Sequence, residues 1–216
     1  MLDRAQDALG LAPEARVLDL GAGTGRLTRE LTRRFTTVVA VEPDEGMRAR
    51  IDVGTVLAGA AEAIPLADAS VDCVFVGEAF HWFDKGPALA EIERVLVPGG
   101  GLAIIWTHWW ETEPPLPDEA VGILREPFER FAAQRPTPWE GRFEDSPFEP
   151  LREEEFVEEL AVDAATLLAM YSTTSSLAAL PDEERTTLLD RVRPLLLESY
   201  RLPVKHRLTW TQLRPA

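Results

Sequence analysis

Residues 17–28, VLDLGAGTGRLT, restrict the fold more than any other stretch of the chain. Val17, Leu18 and Leu20 make the apolar run that a parallel strand covered on both faces requires, and Gly21, Gly23 and Gly25 follow at alternate positions. Glycine permits backbone angles and close approaches that a Cβ forbids, so a ligand can lie against bare main chain there. Leu27, Leu31 and Phe35 then recur at helical spacing. A buried strand, a tight glycine turn and a helix start together aim the helix dipole and its unpaired N–H groups at a nucleotide-like cofactor.

The next hundred residues repeat the alternation of strand and helix. TVVAVE at 37–42 reads as a second buried strand, and Pro43-Asp44 opens a helix with Met47 and Ile51 on one face. Residues 56–60 form a short third strand and 71–77 a fourth, after a turn at 68–70. Leu89, Ile92 and Leu96 mark a helix that Pro98-Gly-Gly-Gly101 ends, and 102–106 is the fifth strand. Such alternation requires right-handed crossovers and a parallel sheet, hence an α/β, doubly wound, Rossmann-like fold. A ligand then sits at the carboxyl ends of the strands, and Glu42, at the end of the second, can accept from both hydroxyls of a ribose.

From residue 109 the character changes. Eight of the 17 prolines fall within 109–150, together with Trp109, Trp110 and Trp139. This predicts a cap-like insertion at about 109–150, carrying a helix near 119–134, within a single domain spanning 1–216. Beyond it, 156–162 reads as a strand, 164–171 as a short helix, 182–200 as a helix kinked at Pro194, and 203–213 as a half-buried strand that closes an antiparallel hairpin.

Composition excludes several classes of function. The 216 residues carry 22 Lys and Arg against 37 Asp and Glu, a formal charge of −15, and residues 111–160 hold 15 of those acids with 5 arginines. Such a surface repels phosphate backbones, so nucleic acid is not an expected partner. Cys73 is the one cysteine, which leaves no intrachain disulfide or cysteine metal site and fits a cytoplasmic setting. No metal is expected. No apolar run approaches the roughly 18 residues of a membrane helix, and no leader precedes the first strand.

The loop spacing also selects among cofactors. Gly21-Ala22-Gly23-Thr24-Gly25 is not G-x-G-x-x-G, and Arg26 stands where a phosphate-binding loop needs its Lys-Ser/Thr. With Asp19 two residues before it, LDLGAGTG resembles the first motif of the class I S-adenosylmethionine-dependent methyltransferases. The segment Gly77-Glu78-Ala79-Phe80-His81-Trp82-Phe83-Asp84, with Pro98-Gly-Gly before the fifth strand, is similar to the small-molecule (methyltransferase type 11-like) branch. The resemblance covers residues 16–108 well and the rest in outline.

It implies S-adenosylmethionine as cofactor and a seven-stranded, mostly parallel sheet of order 3-2-1-4-5-7-6. The implied cofactor-binding residues are Asp19, Gly21, Ala22, Gly23, Thr24, Gly25, Glu42, Pro43, Met47, Ala61, Glu62, Gly77 and Glu78. The adenine segment is Ala58–Pro65, where relatives carry an Asp in place of Ala60. Asp84 reads as a helix N-cap. His81 is either a packed, hydrogen-bonded histidine or the base for a protonated acceptor, and Phe80, His81, Trp82, Trp106, Trp109 and Trp110 are candidates for the acceptor pocket. The implied activity is methyl transfer to a small-molecule carboxylate, hydroxyl or amine by in-line displacement, by a monomer or homodimer.

Two rivals are an NAD-dependent reductase, which would need other loop spacing and a Tyr-x-x-x-Lys pair that the chain lacks, and a non-catalytic cofactor-binding protein. Only 16 residues precede Val17, and the short helix at 3–9 offers Ala5, Ala8 and Leu9 but no aromatic side chain. An open cofactor site with modest affinity and fast exchange is therefore expected, unless the acidic, tryptophan-containing cap after residue 108 or a second subunit closes it.

Overall fold

A computed structural model of the chain describes residues 1–108, 116–132, 143 and 146–214. Seven strands form one sheet, β1 (Arg16–Leu20), β2 (Thr37–Val41), β3 (Thr55–Leu57), β4 (Val71–Gly77), β5 (Leu96–His108), β6 (Arg152–Asp163) and β7 (Ser199–Gln212), in the order β3-β2-β1-β4-β5-β7-β6. The pairs β1–β2, β1–β4, β2–β3 and β4–β5 are parallel. At the other edge the direction reverses. Leu213 N–H donates to Gly100 O and Thr107 meets His206, while Thr209 meets Glu153 and Arg207 meets Glu155, so partner numbers fall as strand numbers rise.

The chain forms two compact units, the first from the described residues of Met1–Thr107, Pro138–Phe156 and His206–Ala216, the second from those of His108–Thr137 and Val157–Lys205. In the first, two apolar layers cover the sheet. Leu18, Leu20, Val74, Val76, Leu102 and Ile104 point into one, with Ile92 and Val95 of α4 (Lys85–Val95) and with Phe80, Phe143 and Phe148. Val17, Cys73, Phe75, Ala103, Ile105 and Leu208 point into the other, with Leu31 of α2 (Arg26–Thr32) and with Ala5 and Leu9 of α1 (Leu2–Leu9). That alternation along each strand is the two-residue period of β structure. Leu9 packs so close to Gly101 that a Cβ there would meet its side chain at 2.9 Å, so the apolar face of α1 is committed to the sheet.

In the second unit, α5 (Asp118–Ala132), α6 (Ala164–Ser172), α7 (Ser175–Ala178) and α8 (Asp182–Val192) enclose a core of Leu124, Leu167, Leu177, Val192, Tyr200 and Leu202.

Several boundaries differ from the sequence expectation, each for a local reason. The helix after β2, α3 (Glu45–Arg48), is a single turn capped by the Asp44 carboxylate, which accepts from Met47 N–H at 2.7 Å, and Ile51 lies beyond it. Helix α2 stops at Thr32, and Phe35 reaches its layer from the following turn. Helix α4 stops at Val95, and β5 starts at Leu96 instead of Leu102. The register jumps from Val71↔Leu96 to Cys73↔Gly101, so the Pro98–Gly101 stretch is a bulge inside the strand, with Gly99 at φ +77°. Helix α8 ends at Val192 rather than kinking at Pro194. The proline, without an N–H, falls in a 3₁₀ turn at Arg193–Leu195, and Tyr200 belongs to β7.

Candidate cofactor and acceptor site

The three loop glycines serve two different needs. All have positive φ, +71° at Gly21, +57° at Gly23 and +79° at Gly25. A Cβ on Gly21 would lie 2.7 Å from Ala79 Cβ, and one on Gly25 would lie 3.0 Å from Ile51, so both glycines let protein pack on protein. A Cβ on Gly23 would meet nothing within 4 Å. Gly23 therefore presents bare main chain to open space at the carboxyl end of β1.

Glu42, just past β2, is buried, with 6% exposure, and both its oxygens are fixed by backbone amides. Oε2 accepts from Gly23 N–H at 2.8 Å and Oε1 from Asp44 N–H at 2.9 Å. The carboxylate is thus pinned at the rim of the glycine loop before any ligand arrives, and each oxygen retains lone-pair capacity for a hydroxyl donor. Met47, one turn on, is 48% exposed. These features fit an adenosine-type ligand.

Asp19 is placed differently. It is 1% exposed, its Oδ2 accepts from Thr28 Oγ1 at 2.6 Å, and it ties β1 to the first turn of α2 beneath the loop. Burial raises its pKa from 3.8 to about 7; the Thr28 hydrogen bonds oppose the rise and the Glu42 charge adds to it. Its influence on a ligand passes through the loop it holds.

The segment after β3 is clamped to α4. Ile64 N–H donates to Glu91 Oε2 at 2.7 Å, and Arg94 binds the carbonyls of Leu66 and Ile64 at 2.8 and 2.9 Å. Ala61 is buried against this frame, while Glu62 Oε1 accepts from Asp84 N–H at 2.7 Å. Asp84 occupies the N-cap position of α4, as its sequence position leads one to expect, but makes no side-chain cap bond. Its carboxylate would accept from the second or third residue of the helix, and the third is Pro87, which has no N–H.

At the tip of β4, Glu78 holds φ +55° and its N–H donates to Ile105 O at 3.0 Å. Its Oε1 accepts from Thr107 N–H, and Thr107 Oγ1 lies 3.2 Å from His206 Nδ1. The His81 ring packs against both indoles, with centroids 4.6 Å from Trp82 and 5.3 Å from Trp106. Trp82 is 64% exposed, whereas Phe80 is fully buried against Phe83 and Phe143 and so lies in the core. Trp109 and Trp110 lie outside the described residues. Thr107 and His206 are the site-region residues that sequence reasoning missed. Both sit within strand patterns, and only the pairing of β5 with β7 brings them together.

Among the described residues no cluster of His, Cys, Asp or Glu could hold a metal ion, and no helix is long and apolar enough to cross a membrane. A cavity of about 360 Å³ in the second unit, lined by Pro127, Pro181 and Leu188 among others, contains none of the residues singled out above.

Residues 18–104 match the family model described as a methyltransferase domain. The chain is 37% identical over 196 residues to an uncharacterized methyltransferase of Mycobacterium tuberculosis, covering 89% of this chain and 77% of that protein. It is 32% identical over 176 residues to an uncharacterized methyltransferase-like protein of Schizosaccharomyces pombe, covering 78% and 68%. Among solved structures, a protein from Anaeromyxobacter dehalogenans assigned as a type II methyltransferase shares the fold, with a TM-score of 0.69 at 24% identity over 99% of this chain and 97% of that one. The strand order, the open glycine loop with its pinned carboxylate and these relatives agree that the chain belongs to the class I S-adenosylmethionine-dependent methyltransferases.

Proposed function

We propose that this enzyme methylates a small-molecule acceptor by in-line displacement at the carboxyl ends of β1 and β4, acting as a cytoplasmic monomer or homodimer. The observation that carries the reading is the open space at Gly23, where a Cβ would meet nothing within 4 Å, beside a carboxylate fixed by two amides. Gly21, Ala22, Gly23, Thr24 and Gly25 supply the main-chain cradle, Glu42 the ribose contact, Pro43 and Met47 its flank, Ala61 and Glu62 the adenine end, and the main chain of Gly77 and Glu78 the methionine end. When bound, S-adenosylmethionine supplies a methyl group already activated by its sulfonium. The protein's task is then to position and desolvate, which alone can supply most of the rate. Asp19 contributes by holding the loop on α2. His81, Trp82 and Trp106 wall the acceptor. With a formal charge of −15, the protein disfavours nucleic-acid acceptors.

Two outcomes test this reading. Glu42→Ala should weaken S-adenosylmethionine and S-adenosylhomocysteine in calorimetry by about 1.5–3 kcal/mol, the worth of charge-assisted hydrogen bonds. NAD binding as tight as that of either ligand would overturn the assignment. If the acceptor is an alcohol, His81→Ala should cost roughly a hundredfold in turnover through loss of a general base. An unchanged rate would leave His81 as a wall residue only.

A further inference from the structure

Glu78 stands in backbone that a non-glycine residue keeps only when its surroundings hold it there. With φ at +55°, it is tied to β5 twice, through its own N–H to Ile105 O and through Oε1 to Thr107 N–H. Thr107 is braced in turn from β7, its hydroxyl 3.2 Å from His206 Nδ1. The residue nevertheless stays exposed, so the strain fixes its side chain at the strand ends, where open α/β sheets take their ligands. The same loop carries Trp82, 64% exposed, and the residue before Thr107 is Trp106.

An ionised carboxylate only accepts hydrogen bonds, and indole faces attract cations. A carboxylic acid acceptor would be repelled by Glu78, and an alcohol would gain little from its charge. Lys85, the cation nearest in sequence, has its ammonium on His81 O at 3.3 Å. We propose that the Glu78 side chain is the acceptor-binding carboxylate of this enzyme and that the acceptor is an amine. The inference rests on the methyl-transfer reading, which it narrows from three acceptor classes to one, and it moves the proton acceptor from His81 to Glu78.

The ammonium form of the acceptor docks on Glu78 and gives it one proton, an N–H bond breaking as an O–H bond forms. The freed lone pair makes the N–C bond while the methyl–sulfur bond breaks with its electron pair staying on sulfur, and Glu78 later returns the proton to water. Desolvation lifts the Glu78 carboxyl from 4.5 to about 7, a rise that solvent at the exposed residue tempers, so both protonation states are accessible near neutrality.

The test uses the full-length protein and three matched probes, phenethylamine, phenethyl alcohol and phenylacetate, titrated by saturation-transfer NMR with and without S-adenosylhomocysteine. The amine should bind roughly tenfold tighter than either partner, as a charge-assisted contact allows. Glu78→Gln, which keeps an oxygen for Thr107 N–H but removes the charge, should erase that preference. Equal or better binding of the alcohol or the acid, absence of amine binding, or an undiminished preference in Glu78→Gln would each overturn the proposal. So would loss of S-adenosylhomocysteine binding in that variant, since the side chain would then belong to the cofactor. Failure of the wild type to bind S-adenosylhomocysteine would instead sink the methyl-transfer reading, and the titrations without it would still decide Glu78.

Discussion

Replacing Gly23 by valine should abolish detectable binding of S-adenosylmethionine and S-adenosylhomocysteine while leaving a folded protein. The protein side of the substitution is mild, because a Cβ at this position meets nothing within 4 Å. Its cost to the fold is the left-handed backbone, φ +57°, worth about 1–2 kcal/mol for a residue with a Cβ. In a domain of this size that lowers the melting midpoint by roughly 2–8 °C. On the proposed binding mode the ligand side is severe, since the two methyl groups would project into the cofactor's approach and block the main chain beside Glu42. Gly21→Ala supplies the contrast. Its Cβ would lie 2.7 Å from Ala79 Cβ, so it should destabilise the fold itself, with cofactor binding lost as a consequence. Thermal melts and calorimetry on the two variants separate a ligand-facing glycine from a packing one. Cofactor affinity within about tenfold of wild type in a folded Gly23→Val protein would mean that the ligand does not lie against this loop.

The same contrast shows what the sequence could and could not convey. Spacing of glycines pointed to a turn and a ligand, but only the packing of Ala79 and Ile51 reveals that Gly21 and Gly25 are needed for protein packing, whereas Gly23 faces open space. Glu42 was legible because the strand end that carries it is fixed by local pattern. Strand β4 was legible to the residue, an apolar run bounded by a turn and a glycine. Elements governed by longer-range pairing were not. Strand β5 absorbs a Pro-Gly-rich stretch that reads as a break, because its neighbour β4 accommodates the bulge. Helix α8 ends at Val192 before the 3₁₀ turn that holds Pro194, and Tyr200, expected in that helix, lies in β7 and packs in the core of the second unit. The Glu78–Thr107–His206 series joins residues 29 and 99 positions apart, which no spacing rule connects. Asp84 takes the N-cap position its identity suggests, but Pro87 removes one of the two amides its carboxylate could use.

Asp19→Asn should change the pH dependence of stability by several kcal/mol. In the folded protein the Asp19 carboxyl titrates near 7, against an ordinary value of 3.8, because burial penalises its charge more than the Thr28 hydrogen bonds favour it. Between these values the folded state holds a proton that the unfolded state has lost, so wild-type stability falls as pH rises from about 4 to about 7. Below the window both states are protonated; above it both are ionised and the full cost of the buried charge persists. A shift of about three pKa units corresponds to about 4 kcal/mol, and at 1% exposure solvent screening does little to reduce it. Asparagine carries no such proton. Its Oδ1 can still accept from Thr28, while its amide group needs a partner, a penalty of about 1–3 kcal/mol that does not vary with pH. The variant should therefore be less stable than wild type near pH 4.5 and as stable or more stable at pH 8. Glu42, the neighbouring carboxylate that raises Asp19, makes Glu42→Gln a second probe, expected to narrow the window from above. The readout is the difference between variant and wild-type unfolding free energies from denaturant titrations at a series of pH values, which cancels the other acids of the chain. A flat difference curve across this range would show Asp19 to be ionised throughout and would place the loop on a permanently charged support.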